Sequence, residues 1–212
     1  MKKYELTTNT KKCFGRKLYQ IKALKDFSDV KAGDLGGYIE KEENLSQDGV
    51  AWVFDNACVY DNALVHGNAQ VFDNVLIYGN ARVYGTARVY DDAQIYCNAQ
   101  VYGNARVSDN VWILDDALIF GDAWAYGIAC ICGDACVCSD SDYICFKGFG
   151  SENRNTTMFR TKNGDIHVCC GCFRGSLKEF LEKVKETHGS SIYAKEYFAC
   201  AEVAKIHFQI KD

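Results

Sequence analysis

From about Gln47 to Asp142 an aliphatic position recurs every six residues. Val53, Val59, Val65, Val71, Ile77 and their successors keep that step without a break as far as Val137. Four residues after each comes a second small position, usually alanine (Ala57, Ala63, Ala69), and between the two lie Gly, Asp and Asn. The result is fifteen hexads of the form V-aromatic-(D/G)-(N/D)-A-x. A period of six does not match the 3.6 residues of a helical turn, but it suits a short strand followed by a tight corner. The aliphatic and small residues are predicted to point inward, with Gly, Asp and Asn supplying the positive φ or Asx turn that a corner requires. Three hexads close one triangular coil, so fifteen predict five coils stacked about 4.8 Å apart. Such a stack leaves an open edge at each end, and both ends need caps.

The flanking patterns supply those caps. Residues 3–24 read as a hairpin, KYELT against RKLYQIKAL, leading through Gly36 and Gly37 into the first coil. After Asp142 the hexads stop. Gly148, Gly150 and their neighbours read as a linker, and TTMFRT-KNGD-IHVCCGCF as a hairpin with a type I′ turn at Asn163-Gly164. Ser176 with Glu179 forms a capping box, followed by Leu177, Phe180, Leu181 and Val184 on one helical face, with Gly189 at the end. A second helix is predicted over roughly Ile192–His207, with Tyr197, Ala201, Ala204 and Phe208 on a shared face. The organisation is an N-terminal hairpin cap over 1–46, a hexapeptide-repeat solenoid over 47–142, and a small C-terminal ββαα domain over 143–212. That last domain either covers the final coil or serves as a separate partner-binding module.

The hexads resemble the left-handed parallel β-helix of the hexapeptide-repeat family, best known from acyltransferases; the left hand is implied by the resemblance, not by the spacing. Residues 19–49, with DFSDVKAGDLGGYIEKEENLSQDG, resemble the N-terminal cap of bacterial and phage hexapeptide-repeat proteins of transferase-like type. The segment GCFRGSLKEFLEKVKETHG is similar to a stretch common in phage-encoded reading frames of gut bacteria. The implied fold is mainly β, a left-handed parallel β-helix, and trimers are usual in the family. An acyltransferase of this family uses a general-base histidine near a subunit seam, often on an extruded loop. The shaft offers only His66, beside Gly67, and its regular hexads leave no extruded loop.

Charge changes this picture modestly. Residues 1–45 carry ten basic and seven acidic side chains, residues 46–142 three and thirteen, and residues 143–212 eleven and eight. An acidic shaft between mildly basic ends excludes a duplex nucleic-acid binder. No apolar run approaches the roughly 18 residues of a membrane span, and MKKYELTTNTKKCFG lacks a signal-like apolar core. With twelve cysteines, these features predict the reducing cytoplasm of a bacterial host cell.

The outward positions sort into three faces. The first presents Tyr60, Leu76, Tyr78, Tyr96, Trp112 and Leu114, too apolar for water over such an area. A second subunit, as in a homo-oligomer expected to be a trimer, or the folded-back tail would cover it. The second face carries Arg88, Tyr90 and Arg106, with the arginines one coil apart. They are neutralised either by the corner acids Asp73, Asp91 and Asp109 or by an anionic ligand held by guanidinium forks and stacked aromatics. The third adds Arg82, Tyr84, Tyr102 and His66. Cys130, Cys132, Cys136 and Cys138 straddle a corner and would not converge on a metal. No metal is expected and the cysteines read as small reduced thiols on covered faces; the alternative is a site at Cys169 and Cys172 with a third ligand such as His188. No phosphate-binding glycine loop, nucleophile elbow or metalloprotease motif occurs, and no cofactor is expected. The expectation is therefore a non-catalytic, oligomeric β-solenoid binding protein whose partner is a host protein or a small anionic, nucleotide-like signal. In its narrowest form it is a phage-encoded inhibitor of host defence or a sponge for that signal. The alternatives are an acyltransferase using His66 and a structural scaffold.

Overall fold

The computed structural model describes residues 2–210. Its centre is a parallel β-solenoid of about six turns. Fifteen two-residue strands, β4 (Trp52–Val53) through β18 (Cys136–Val137), follow one another at six-residue intervals. Each pairs in parallel with the strand eighteen residues on, as Val53 with Val71 and Val71 with Val89. The strands thus form three faces. The aliphatic column from Val53 to Val137 and the small residues four positions later, from Ala57 to Ala135, are buried along the axis, while Ser141 at the end is exposed. An additional, partial turn precedes the hexads: in β3 (Leu35–Ile39) Ile39 pairs with Val59, and Leu45 bridges Val65.

The corners show why the polar half of each hexad is so restricted. From Asp55 to Gly133 the first corner residue has positive φ, whether glycine (Gly67, Gly85, Gly103), aspartate (Asp55, Asp73, Asp91, Asp109) or Cys97; Ser139, at the last corner, is extended. Aspartate tolerates the left-handed region, and here its carboxylate has a use. Asp73 accepts the backbone N–H of Asp91 at 3.1 Å, Asp91 that of Asp109 at 2.9 Å, and Asp109 that of Gly127 at 2.8 Å. The second corner residues stack as an amide ladder, Asn62 to Asn80 to Asn98 to Asp116. At the remaining corner the coils approach too closely for any side chain. A Cβ on Gly85 would lie 2.8 Å from the Gly103 nitrogen.

Both ends are capped. At the N-terminal end, β1 (Tyr4–Cys13) and β2 (Arg16–Ala23) form the antiparallel hairpin the sequence predicts, and β2 pairs with β3. Tyr4 and Phe27 pack edge-on against the fully buried Trp52, and the Tyr4 hydroxyl donates to Leu45 O at 2.7 Å. Lys3 is buried with them. Its Nζ donates to Ala51 O at 2.9 Å, and burial, with Lys25 adding repulsion, lowers its pKa to about 8.

At the other end, β19 (Tyr143–Phe149), β20 (Arg154–Arg160), β21 (Ile166–Cys170) and β22 (Phe173–Ser176) form an antiparallel sheet. Helices α1 (Leu177–His188) and α2 (Ile192–His207) follow, with the capping box and both apolar faces as expected. Two expectations are corrected here. The segment read as a linker is the outer strand β19; Gly148 and Gly150 have positive φ and lie at its end, where the pairing with β20 shifts register. The turn at Asn163-Gly164 is not type I′. Only Gly164 has positive φ (84°), Gly164 N–H donates to Thr161 O, and Thr161 N–H donates to Asp165 O, as in a turn closed by a left-handed glycine. The expected hairpin is the inner pair of four strands.

This sheet lies across the last coil. Thr161 bridges Ala135, the Cys130 N–H donates to Thr157 Oγ1 at 3.0 Å, and Phe159 joins the solenoid core. The C-terminal domain therefore covers the open end. Among the described residues no helix is long and apolar enough to cross a membrane.

Two predictions follow from the corners and the cap. Gly85→Ala is expected to cost about 1–3 kcal/mol in chemical denaturation, since it strains φ and meets backbone that cannot yield. Lys3 concerns pH. Its folded pKa lies below the ordinary 10.5, so between about 8 and 10.5 the unfolded chain holds a proton that the folded chain has lost. Stability relative to Lys3→Met should therefore rise with pH across that window; denaturation midpoints of both proteins at a series of pH values would show it, and a constant difference would refute it.

Candidate functional site

The three faces carry stacked side chains because parallel strands place identical hexad positions directly above one another. On the third face His66 stacks on Tyr84 (4.9 Å between ring centres), Tyr84 on Tyr102 and Tyr102 on Phe120. The Tyr84 hydroxyl donates to Gln100 at 3.1 Å. His66 is half-buried, and its pKa is lowered by burial and then by the nearby Arg82. The shift favours the neutral imidazole that a general base needs, but the ring sits within an aromatic column and not on a loop.

On the second face Phe54, Phe72 and Tyr90 stack at 4.5 and 5.1 Å. Beside this column Arg88 lies in register with Arg106, and both are exposed. The expected partners do not meet them. Asp73, Asp91 and Asp109 turn their carboxylates to the backbone of the next coil, and no ion pair within 4 Å involves Arg82, Arg88 or Arg106 among the described residues. The explanation by corner acids is thus corrected: backbone donors at the positive-φ corner capture the carboxylates first. Above the arginines, Trp124 (44% exposed) and Tyr126 (51%) stand at the end of the face, and Trp124 Nε1 donates to Ser108.

The first face is covered partly by the chain itself. The N-terminal hairpin folds over its lower coils, so Leu18 packs on Cys58 and Tyr60, with Leu76 and Tyr78 at the margin. Arg16 fixes that hairpin to Asp61 at 2.6 Å. At the far end Leu114 is buried. Tyr60, Tyr78 and Tyr96 stack between these covers. Of the residues singled out on this face, Trp112 stands out at 47% exposed, whereas Tyr60 and Leu114 are shielded without a partner chain.

The cysteines are arranged otherwise than their spacing suggested. All twelve are free thiols. Cys136 and Cys138 lie on another face from Cys130 and Cys132, as expected. Cys169 and Cys172 do not pair either. Cys172 sits in the turn between β21 and β22 and lines a cavity of about 400 Å³ with His188, Arg154 and Lys183. Cys169 instead faces the last coil, where its Sγ meets those of Cys130 and Cys132, all within 4.8 Å of one another. Sequence reasoning missed this cluster, since strand alternation in β21 sends Cys170 toward the helices and Cys169 toward the shaft, and only docking of the domain brings Cys169 to β17 (Cys130–Ile131). Arg174 lies close by and pairs with Asp115 at 3.2 Å. Hydrogen bonds from Cys130 and Cys132, with help from Arg174, pull the Cys169 thiol below its ordinary range. Cys132 is raised by its bonds to Cys130 and Cys169.

Comparisons with known proteins address the repeat. A family described as "YdcK Beta solenoid repeat" matches residues 69–85, 77–91 and 99–115. The "Uncharacterized acetyltransferase YdcK" of Escherichia coli (strain K12) is 50% identical over 38 residues, which cover 18% of this chain and only 12% of that relative. Fold, hexads and repeat matches together make the chain a β-solenoid repeat protein of hexapeptide type, similar over a short stretch to a relative that bears the name of an acetyltransferase.

Proposed function

We propose that this protein is a non-catalytic, oligomeric β-solenoid that binds a small anionic ligand on its shaft. The observation that carries this reading is the exposed, unpaired couple Arg88 and Arg106, one above the other on adjacent coils. Like charges about 4.8 Å apart repel. Each guanidinium also presents a planar fork suited to phosphate or carboxylate, so an anion bound across both relieves the repulsion. Tyr90 flanks the pair with an aromatic surface on which a base can stack. Arg82, Tyr84 and Tyr102 extend the same chemistry on the neighbouring face, and self-association through Trp112 and the partly covered Leu76, Tyr78 and Tyr96 would set two such faces at a seam. Fold and repeat matches lend no support to the narrower expectation of a phage-encoded inhibitor of host defence or signal sponge. The scaffold alternative, which requires head-to-tail stacking, is opposed by the covered ends.

The test is titration calorimetry of the full chain with adenosine triphosphate and with inorganic pyrophosphate at low ionic strength. Arg88→Ala with Arg106→Ala is expected to weaken binding roughly ten- to a hundredfold, because a hydrogen bond to a charged group contributes about 1.5–3 kcal/mol. Full affinity in the double variant, or no affinity for either probe in the unaltered protein, would sink the reading.

Acyl transfer is the second reading, favoured by the relative's name and by the lowered pKa of His66. It requires cleavage of an acyl thioester in the presence of an amine or hydroxyl acceptor, lost in His66→Ala. Thiol release from acetyl-coenzyme A at equal rates in both proteins would eliminate it.

A further inference from the structure

We propose that Cys130, Cys132 and Cys169 form a zinc-binding site at the junction of the shaft and the C-terminal domain. Cys130 and Cys132 flank the inward-pointing Ile131, so both project from the outer side of the last rung. Cys169 descends onto them from β21, and its Sγ lies 3.2 Å from that of Cys130. All three sulfur atoms fall within 4.8 Å of one another. Thiolates around a tetrahedral Zn²⁺ at about 2.3 Å stand about 3.8 Å apart, so modest side-chain rotation brings this triad to one face of the tetrahedron.

The chemistry of the set selects the ion. Three soft sulfur donors favour a thiophilic cation over Mg²⁺ or Ca²⁺, which take oxygen ligands. Iron–sulfur clusters ordinarily take four cysteines. A disulfide between Cys130 and Cys169 would use two sulfurs and give no role to Cys132, whereas a metal uses all three. Charge agrees. Zinc with three thiolates carries a net single negative charge, and the guanidinium of Arg174 stands beside the cluster to meet it, held by Asp115. A cleft of about 540 Å³ lined by Cys130, Cys169, Trp112, Glu152 and Arg154 opens on the site, so the fourth ligand is water or a group entering from that cleft. Since two ligands belong to the shaft and one to the domain, binding clamps the cap in place, and its free energy adds to that of docking.

The experiment is metal analysis by mass spectrometry of the full chain, expressed with zinc in the medium and purified under reductant without chelator. About one zinc per chain is expected. Cys130→Ser and Cys169→Ser should each lose it, while Cys136→Ser and Cys172→Ser retain it. Because a serine variant that failed to fold would also lose metal, Co²⁺ is added to the metal-free, reduced, unaltered chain as well. A sulfur-to-cobalt charge-transfer band there reports thiolate ligation without any substitution. Zinc-free protein with no such band, whether the thiols are free or Cys130 and Cys169 are joined in a disulfide, overturns the proposal. Zinc retained by both Cys130→Ser and Cys169→Ser overturns it equally.

Discussion

Each coil of the shaft presents most of its N–H and C=O groups along the axis, and these must find partners on the coil above or below. In a flat sheet the same demand is met along extended strands, and only the two edges leave it unmet. Here it governs each turn as well, because the strands are two residues long and four of every six residues lie outside them. The backbone of one corner donates to the next, as Asn56 N–H to Asp73 O and Asn74 N–H to Asp91 O. Side-chain ladders of Asp and Asn run alongside. Fixing identical corners above one another requires the same φ at the same hexad position, and the choice narrows to Gly and Asp with the single substitution Cys97.

That constraint explains both the acidity of the shaft and the isolation of its arginines. A net charge of this size suggests repulsion or solvation, yet the corner carboxylates serve as hydrogen-bond acceptors for backbone. Their engagement leaves Arg88 and Arg106 without the partners that proximity along the chain implied. The same logic separates structural from chemical features elsewhere. Aromatic columns follow from register alone, and their presence is no sign of a ligand. Register also sets Arg88 over Arg106, but their lack of an acidic partner and the convergence of three thiols do not follow from it.

Legibility in the sequence tracked how local the cause was. The hexads, the hairpin of Tyr4 and Leu18, the Ser176–Glu179 box and the burial of Tyr197 and Ala204 each depend on neighbours within one repeat or one helical turn, and each could be read. Failures were of two kinds: local turn and strand geometry around Gly148, Gly150 and Gly164, and contacts that span the domains. The KGFG run resembles a loop because two glycines mask a strand whose partners come from β20. Coverage of Tyr60 depends on where a hairpin bends, which no periodicity encodes. Cys169 and Cys130 lie thirty-nine residues apart with no motif between them; the pairing needs the sheet to dock first. The preference for Cys172 as the partner of Cys169 came from counting along the chain where only distance through space mattered.

The register of eighteen residues also sets how such a protein can change length. Duplicating or deleting one full coil returns every side chain to its own face and leaves the two caps in the same mutual orientation. A change of six residues turns one cap by a third of a revolution against the other and moves the later arginines to a different face. Lineages of this chain should therefore differ in shaft length by eighteens. Each added copy of the segment holding Arg88 or Arg106 would lengthen the basic row by one guanidinium, so the extent of that surface is a quantity evolution can count out in whole coils.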